Sequence, residues 1–230
     1  FIQDGHSRGS IKFSHEEFGL LGSYALLSHS IDLTDEEILI CKQTDTRIIH
    51  NPSAFASILG RCPVTELLDA GVTVILGSDG PAPDRSCDMF RHMFQCIRYH
   101  RTNFRDLSYM PSGKVLEMVT IDAARALGLE QDLGSLEAGK KADLILINVR
   151  KPHLYPFNMP LHRIVYYANG NDVDTVIIDG KVIMENRIVL TLNEEAVLDS
   201  VKKVVDDMLK KTNLYEFLEL PDRCWNSSRY

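Results

Sequence analysis

The segment Val72-Thr73-Val74-Ile75-Leu76-Gly77-Ser78-Asp79-Gly80 decides the fold class of this chain. It is a short apolar run, rich in β-branched residues, that ends in a polar turn. Such a run is typical of a strand buried in a parallel sheet. Two shorter runs of the same kind precede it, over residues 25–31 and 47–50.

A helical segment is predicted after each of these strands. Thr34 can cap a helix that runs to about residue 43, because Glu37 lies three residues on and completes a capping box. We interpret Asp35-Glu36-Glu37 as a solvated helix start that the helix dipole favours. Further helices are predicted over residues 63–70, 87–100 and 113–127. Three strand–helix pairs in succession predict parallel β/α units, which a doubly wound sheet and a (β/α)8 barrel both contain.

The chain changes character after Gly128. Short strands are predicted over residues 143–147, 175–178 and 181–184, and Asp179-Gly180 between the last two is a strong tight-turn signal. From a cap at Asn193, apolar residues recur at helical spacing to residue 211 and predict an amphipathic helix. We therefore divide the chain into a β/α part (1–130), a small β part (131–192) and a C-terminal helix with a tail (193–230).

Composition restricts the class of protein. Of 230 residues, 44% are hydrophobic and 25% charged, which is ordinary for a globular chain. The net charge of −7 disfavours nucleic acid and anionic membranes as partners. No apolar run approaches the ~18 residues of a transmembrane helix. Five cysteines without CxxC spacing predict free thiols in a reducing compartment, and hence a cytoplasmic protein. The chain begins without an initiator Met, and we expect it to be half of a longer protein.

Polar residues stand where the predicted strands end: His29, His50 with Asn51, and Asp79. Active sites of parallel α/β folds lie at the carboxyl ends of the strands, so we expect His29 and Asp79 to face a common cleft. A carboxylate and imidazoles at one mouth suit a metal site, or a proton-transfer pair around a metal-bound water. The structural alternatives are a turn or cap for Asp79, a core hydrogen bond for His29 and loop shaping for His50.

Two other histidines, His92 and His100, are not expected to belong to this site. His92 and His100 lie eight residues apart in a predicted helix, which is too far for a paired-ligand motif. We predict a surface role for both.

Five segments, in their order along the chain, resemble motifs of the amidohydrolase superfamily. They are Leu27-Ser28-His29-Ser30-Ile31-Asp32-Leu33-Thr34-Asp35-Glu36-Glu37, His50-Asn51-Pro52-Ser53, Gly77-Ser78-Asp79-Gly80 with Asp88-Met89-Phe90, Gly134-Ser135-Leu136-Glu137-Ala138-Gly139-Lys140-Lys141-Ala142-Asp143-Leu144, and the hairpin over residues 174–182. They are similar to the sixth, seventh and eighth barrel strands, the return from the barrel, and the β-sandwich of that superfamily. The nearest branch is the chlorohydrolase/aminohydrolase group, which includes methylthioadenosine/S-adenosylhomocysteine deaminase, guanine deaminase and atrazine chlorohydrolase. The resemblance covers about residues 15–190.

The resemblance implies a fold and an activity. The fold is the C-terminal part of a metal-dependent (β/α)8 TIM barrel, with part of a small β-sandwich and a C-terminal helix. The activity is hydrolysis of non-peptide carbon–nitrogen bonds, by deamination or a related reaction of an N-heterocyclic small molecule. This chain would carry only part of the active site. The partner is a small-molecule substrate, and a homo-oligomer is left open.

The resemblance also implies roles for residues. Asp79 takes the position that binds one divalent metal, Zn²⁺ first and Fe²⁺ second, and shuttles the proton of its bound water. His29 takes the position that polarises the attacked group or holds that water, although in other branches the equivalent histidine is a ligand. His50 and Asn51 take substrate-binding positions.

The chain departs from the family pattern in several places. The H-x-H of the first strand is absent, and so is a general-acid carboxylate after the fifth strand. His6 and His15 lie where a fifth-strand ligand is expected, but neither follows a convincing strand. Phe55 and Arg61 replace residue types usual in the branch and could alter the substrate pocket.

Two other functions remain open on the sequence. One is a catalytically inactive truncated homologue that acts as a scaffold or subunit. The other is a flavodoxin-like binding protein, which would lack the passage over residues 134–144.

Overall fold

A computed structural model describes residues 2–54, 59–80 and 86–219, apart from the side chain of Phe217. Phe55 and Cys224 lie outside the described residues. The four cysteines within them, Cys41, Cys62, Cys87 and Cys96, carry free thiols as predicted.

The first half of the chain forms a parallel sheet. Its four strands are β1 (Ile2–Gln3), β2 (Leu26–Ser28), β3 (Arg47–His50) and β4 (Val74–Leu76), and they lie side by side in that order. All three pairings are parallel, which confirms the predicted β/α units. Only β1 was not predicted, because two residues are too few to show a pattern.

The two faces of this sheet have different partners. Leu27, Ile48 and Val74 belong to the main core, which helices cover. The alternate residues Leu26, Ile49 and Ile75 face the other way, into a small cluster with Ala126. Because successive side chains of a strand point to opposite faces, this alternation places His50, the last residue of β3, on the helix-covered face with Ile48.

Eight α-helices are described: α1 (Ser10–Phe18), α2 (Asp35–Thr44), α3 (Val64–Asp69), α4 (Met89–Phe104), α5 (Ser112–Met118), α6 (Ile121–Leu127), α7 (Pro160–Tyr167) and α8 (Glu194–Thr212). The single helix predicted over residues 113–127 is wrong, since it is two. The chain leaves helical geometry at Thr120, whose hydroxyl donates instead to the carbonyl of Leu116 at 2.7 Å. At α8, Asn193 accepts from the amide of Ala196 and is the predicted cap. Within the described chain, no helix has the length and apolar character needed to cross a membrane.

The capping box of α2 is present, but its acid is not solvated as predicted. Glu37 is buried, and its carboxylate accepts from the amide of Thr34 at 3.1 Å. The same carboxylate accepts from the amide of Ile11 in the first turn of α1, also at 3.1 Å. One acid therefore joins the starts of two helices, which the sequence around Thr34 alone could not show.

The second half of the chain forms an antiparallel sheet, with β5 (Leu144–Ile147), β6 (Val173–Ile178), β7 (Lys181–Glu185) and β8 (Ile188–Val189) in sequence order. Asp179 and Gly180 join β6 to β7 and both have positive φ, of 49° and 74°, as a tight hairpin turn requires. The boundaries predicted for the three parts of the chain remain predictions.

Candidate active site

His29 follows β2 directly and occupies an unusual backbone conformation. Its φ is 68°, in the left-handed region that non-glycine residues rarely adopt, and the next residue, Ser30, has φ 52°. The His29 amide donates to the carbonyl of Ile49 on β3 at 3.0 Å, which holds the turn against the sheet. Such backbone strain costs on the order of 1–3 kcal/mol per residue and is concentrated at functional sites. It directs a fully buried imidazole to the end of the sheet.

Asp79 reaches the same imidazole from β4. It also has a left-handed backbone, with φ 60°, and its Oδ2 lies 3.5 Å from His29 Nε2. The prediction that these two side chains face a common cleft is therefore confirmed. Their chemical roles remain predictions.

Asp4 is a third member that sequence reasoning missed. It follows β1, and its Oδ1 lies 3.0 Å from His29 Nε2, although the side chain is 75% exposed. Its only signal was the apolar-then-polar order of Ile2-Gln3-Asp4, which is too short to predict a strand. Acidic groups from two strand ends therefore flank one imidazole nitrogen.

Asn51 contacts the other nitrogen of the ring. Its Nδ2 donates to Ser28 Oγ at 2.9 Å and lies 3.5 Å from His29 Nδ1. Because an amide nitrogen can only donate, this contact makes Nδ1 the acceptor and places a proton on Nε2. His29 therefore presents an N–H to the mouth of the sheet, by which we mean the carboxyl-terminal edge of the parallel strands where Asp4, His29 and Asp79 meet.

Gly77 makes room for this arrangement. A Cβ at residue 77 would lie 2.7 Å from Ile49 Cγ2 and closer still to Asn51 Oδ1. The Gly77-Ser78-Asp79 turn thus leaves the space that Asn51 occupies beside His29.

His50 is not brought to this group. It is fully buried on the helix-covered face, and its Nε2 lies 3.4 Å from His100 Nε2 on α4. The pKa of His50 lies well below its ordinary range, mainly because the ring is buried and secondly because His100 is close to it. The substrate-binding role of His50 stays a prediction, and this geometry does not support it.

The surface role predicted for His92 and His100 is wrong. Both are fully buried, because they share the inner face of α4 with Met93 and Cys96. His92 Nδ1 lies 3.0 Å from Ser53 Oγ. Burial lowers the pKa of His100 to about 4.

The remaining sequence candidates have clear positions. His6 is buried just beyond β1 and lies with His29 and Asp32 along a cavity of about 430 Å³. Its Nε2 and Nδ1 contact Gln3 Oε1 at 2.9 Å and Ser10 Oγ at 3.0 Å. His15 is exposed on α1. The guanidinium of Arg61 pairs with Glu66 beside α3.

The residues at the mouth fit a divalent cation in part. Asp4 and Asp79 supply carboxylate oxygens, which bind Zn²⁺, and His29 stands beside them with a proton on Nε2. These are fewer than the four donors of a closed zinc site. In the part of the chain that the structure describes, the one set of three whose donor atoms all lie within 4.8 Å of one another is elsewhere, at His50, Cys96 and His100.

Comparisons with known proteins identify the family. The model of the Amidohydrolase family matches residues 1–183. A 5'-deoxyadenosine deaminase of Methanosarcina acetivorans is 38% identical over 200 residues, which cover 86% of this chain and 46% of that protein. A 5-methylthioadenosine/S-adenosylhomocysteine deaminase of Moorella thermoacetica is 40% identical over 188 residues, which cover 81% and 44%.

A solved structure shows the same fold. An adenosine deaminase from Xanthomonas campestris with bound zinc superposes with a TM-score of 0.81 at 24% identity, over 90% of this chain and 51% of that one. The chain thus spans about half the length of the curated relatives it matches.

Proposed function

The chain belongs to the amidohydrolase family, in the branch of the aminohydrolases and chlorohydrolases, and from that premise we propose that the complete protein is a metal-dependent hydrolase. Its parallel sheet is the C-terminal part of a (β/α)8 barrel. The reaction is hydrolysis of a carbon–nitrogen bond outside a peptide, in an N-heterocyclic small molecule.

One observation carries the proposal. His29 Nε2 lies 3.0 Å from Asp4 and 3.5 Å from Asp79, so the ends of three parallel strands bring together a proton donor and two carboxylates. A structural turn at Asp79 would need none of these contacts. Their place at the carboxyl ends of the strands is where active sites of this architecture lie.

Each side chain has a role in this proposal. Asp79 would hold the cation with Asp4, and a bound divalent cation, Zn²⁺ or secondarily Fe²⁺, lowers the pKa of water and stabilises developing negative charge. Asp79 accepts the proton of the attacking water and passes it to the departing nitrogen. His29 donates its Nε2 proton in a hydrogen bond to the attacked heterocycle, and Asn51 keeps that tautomer.

The substrate class follows from the relatives. Those quoted above are named for 5'-deoxyadenosine and for 5-methylthioadenosine or S-adenosylhomocysteine. We therefore propose an adenine nucleoside with a modified 5' position. Water adds at the carbon that bears the amino group, ammonia leaves, and a carbonyl remains on the ring.

The test compares two aspartates in the complete protein. Asp79→Asn should lower the rate of ammonia release from 5'-deoxyadenosine by about 10²–10⁴-fold, since an amide cannot accept the proton. Asp45→Asn is the matched control, because Asp45 also has a left-handed backbone, φ 54°, at the end of α2. Turnover, bound metal and melting temperature are measured for both variants.

Near-normal turnover in Asp79→Asn would refute the mechanism. A complete protein that releases no ammonia from any of the three substrates, yet is folded and metal-loaded, would refute the substrate class. Failure to bind metal as well would favour the inactive homologue that serves as a scaffold.

A further inference from the structure

A second cluster of ligand-type side chains lies on the opposite face of β3 from Asn51. His50 projects from the end of β3 into the helix-covered core, where it meets Cys96 and His100. Cys96 and His100 are four residues apart on α4, so they lie on one face of that helix, one turn apart. A strand and a helix thus supply three ligand-type side chains to one point.

The spacing of these groups suits a metal ion. His50 Nε2 and His100 Nε2 lie 3.4 Å apart, and the donor atoms of all three residues lie within 4.8 Å of one another. Two ligands of a tetrahedral zinc ion with bonds of about 2.0 Å are themselves about 3.3 Å apart. The two imidazoles therefore already have the separation that a shared cation would impose.

The hydrogen bonding of the cluster is incomplete. All three side chains are fully buried. Among the described residues, neither His50 Nδ1 nor His100 Nδ1 has a hydrogen-bond partner. Both Nδ1 atoms would stay unpartnered if the two Nε2 atoms bound a cation, so the case for the ion rests on the spacing of the donor atoms. A direct bond between the two Nε2 atoms is long at 3.4 Å and would use only one lone pair.

We propose that His50, Cys96 and His100 bind a second transition-metal cation of the zinc type, separate from the candidate active site. Two imidazoles and a thiolate are ligands that Zn²⁺ prefers, and they leave a fourth position for water or a small anion. The role is structural, since the site joins β3 to α4 behind the sheet and adds no group to the mouth.

The protonation states agree with such a site. Burial keeps the His50 and His100 rings neutral, which is the form that ligates a metal. Burial also raises the pKa of Cys96, so metal binding must displace the thiol proton. The Cys96 sulfur then forms a bond to the cation as its proton passes to solvent.

The test uses Co²⁺ as a spectroscopic substitute for Zn²⁺. The complete protein is stripped of metal, and Co²⁺ is added both to the folded protein and during refolding. We expect a thiolate-to-cobalt charge-transfer band in the wild type and equally in Asp79→Asn. Cys96→Ser and His100→Gln should lose the band, and Zn²⁺ should raise their melting temperature by less than it raises that of the wild type, because only the site at Asp4 and Asp79 can still bind it.

Cys62→Ser is the matched control, because Cys62 is another fully buried thiol of the same core. It should keep the band. No band in the wild type under either protocol, or a band that persists in Cys96→Ser, would overturn the proposal. Far-ultraviolet circular dichroism identifies any variant that fails to fold, and Cys96→Ala then replaces it.

Discussion

Residues 50 and 51 are neighbours in sequence, but they lie in two different chemical environments. Asn51 lies on the sheet face that carries Ile49 and contacts His29 at the mouth. His50 lies on the other face, sealed against α4. A motif that reads as one site in the sequence is thus divided between two by the alternation of a strand.

The two environments differ in charge and in access to water. Carboxylates flank the imidazole at the mouth, and Asp4 is largely exposed, so protons can be exchanged there. The cluster behind the sheet has two imidazoles and a thiol, all buried, and burial disfavours any charge on them. The comparison teaches that histidine occurs in both environments, and that the carboxylates beside His29 are what distinguishes the proposed reactive site.

The sharpest way to break this comparison is one substitution made on each face. His29→Asn should lower turnover of the complete protein by about 10²–10⁴-fold, because Asn tolerates the left-handed backbone but cannot replace the imidazole donor. His50→Asn should instead lower the free energy of unfolding by about 1–3 kcal/mol, because it leaves space and an amide in the core. Turnover and urea denaturation are measured for both.

If His50→Asn lost as much activity as His29→Asn at a temperature where it stays folded, the separation of the two faces would be wrong. His50 would then act on substrate, as the sequence motif first suggested.

Two glycine substitutions test whether the site at the mouth needs the space that Gly77 leaves. Gly77→Ala should lower the free energy of unfolding by about 1–3 kcal/mol and reduce turnover, because its methyl group would enter the space of Ile49 and Asn51. Gly80→Ala is the control, since a Cβ there would lie more than 4 Å from every described atom other than those of its chain neighbours. Equal effects of the two substitutions on melting temperature and turnover would contradict the role of Gly77.

Glu37 tests whether burial alone makes a polar residue functional. It is as buried as His50, but its carboxylate is fully occupied with amide donors. Burial raises the pKa of Glu37, yet the hydrogen bonds from Thr34, Gly9 and Lys12 outweigh burial and lower the pKa below its ordinary value. Because folding lowers this pKa, ionised Glu37 stabilises the fold at pH values above its unfolded-state pKa. This contribution is lost as the pH falls through the folded-state pKa.

Glu37→Gln should therefore cost roughly 1 kcal/mol at neutral pH, the difference between charged and neutral acceptors, and should weaken the loss of stability in acid. Glu36→Gln, at an exposed neighbour paired with Lys12, is the control. Turnover should be unchanged in both. Denaturation curves at neutral and acidic pH provide the measurement, and identical acid profiles for wild type and Glu37→Gln would refute the linkage.

Much of the site could be predicted because its geometry is local to strand ends. The apolar runs before His29 and Asp79 predicted parallel strands, and parallel strands bring their carboxyl ends together. The capping box at Thr34 and the turn at Asp179-Gly180 are short-range signals of the same kind. Where a few adjacent residues determine the conformation, the sequence is sufficient.

The rest depended on contacts between distant segments. Asp4 follows a strand of two residues, which only its pairing with β2 stabilises. The burial of His92 and His100 depends on which face of α4 meets the sheet. Met93, Cys96, Ile97 and His100 do lie on one helical face, and that spacing was the signal available for His100.

The order of the parallel strands has a consequence for how the chain folds. Each strand pairs with the one that follows it in the chain, as Leu27 does with Ile48 and Ile49 with Ile75. Every pairing therefore closes one connection that contains a single helix, and the entropy of closing a connection grows only slowly with its length. During synthesis the sheet can grow from β1 toward β4 as each strand leaves the ribosome. His29 is then in place, held by Ile49, before Asp79 has been added.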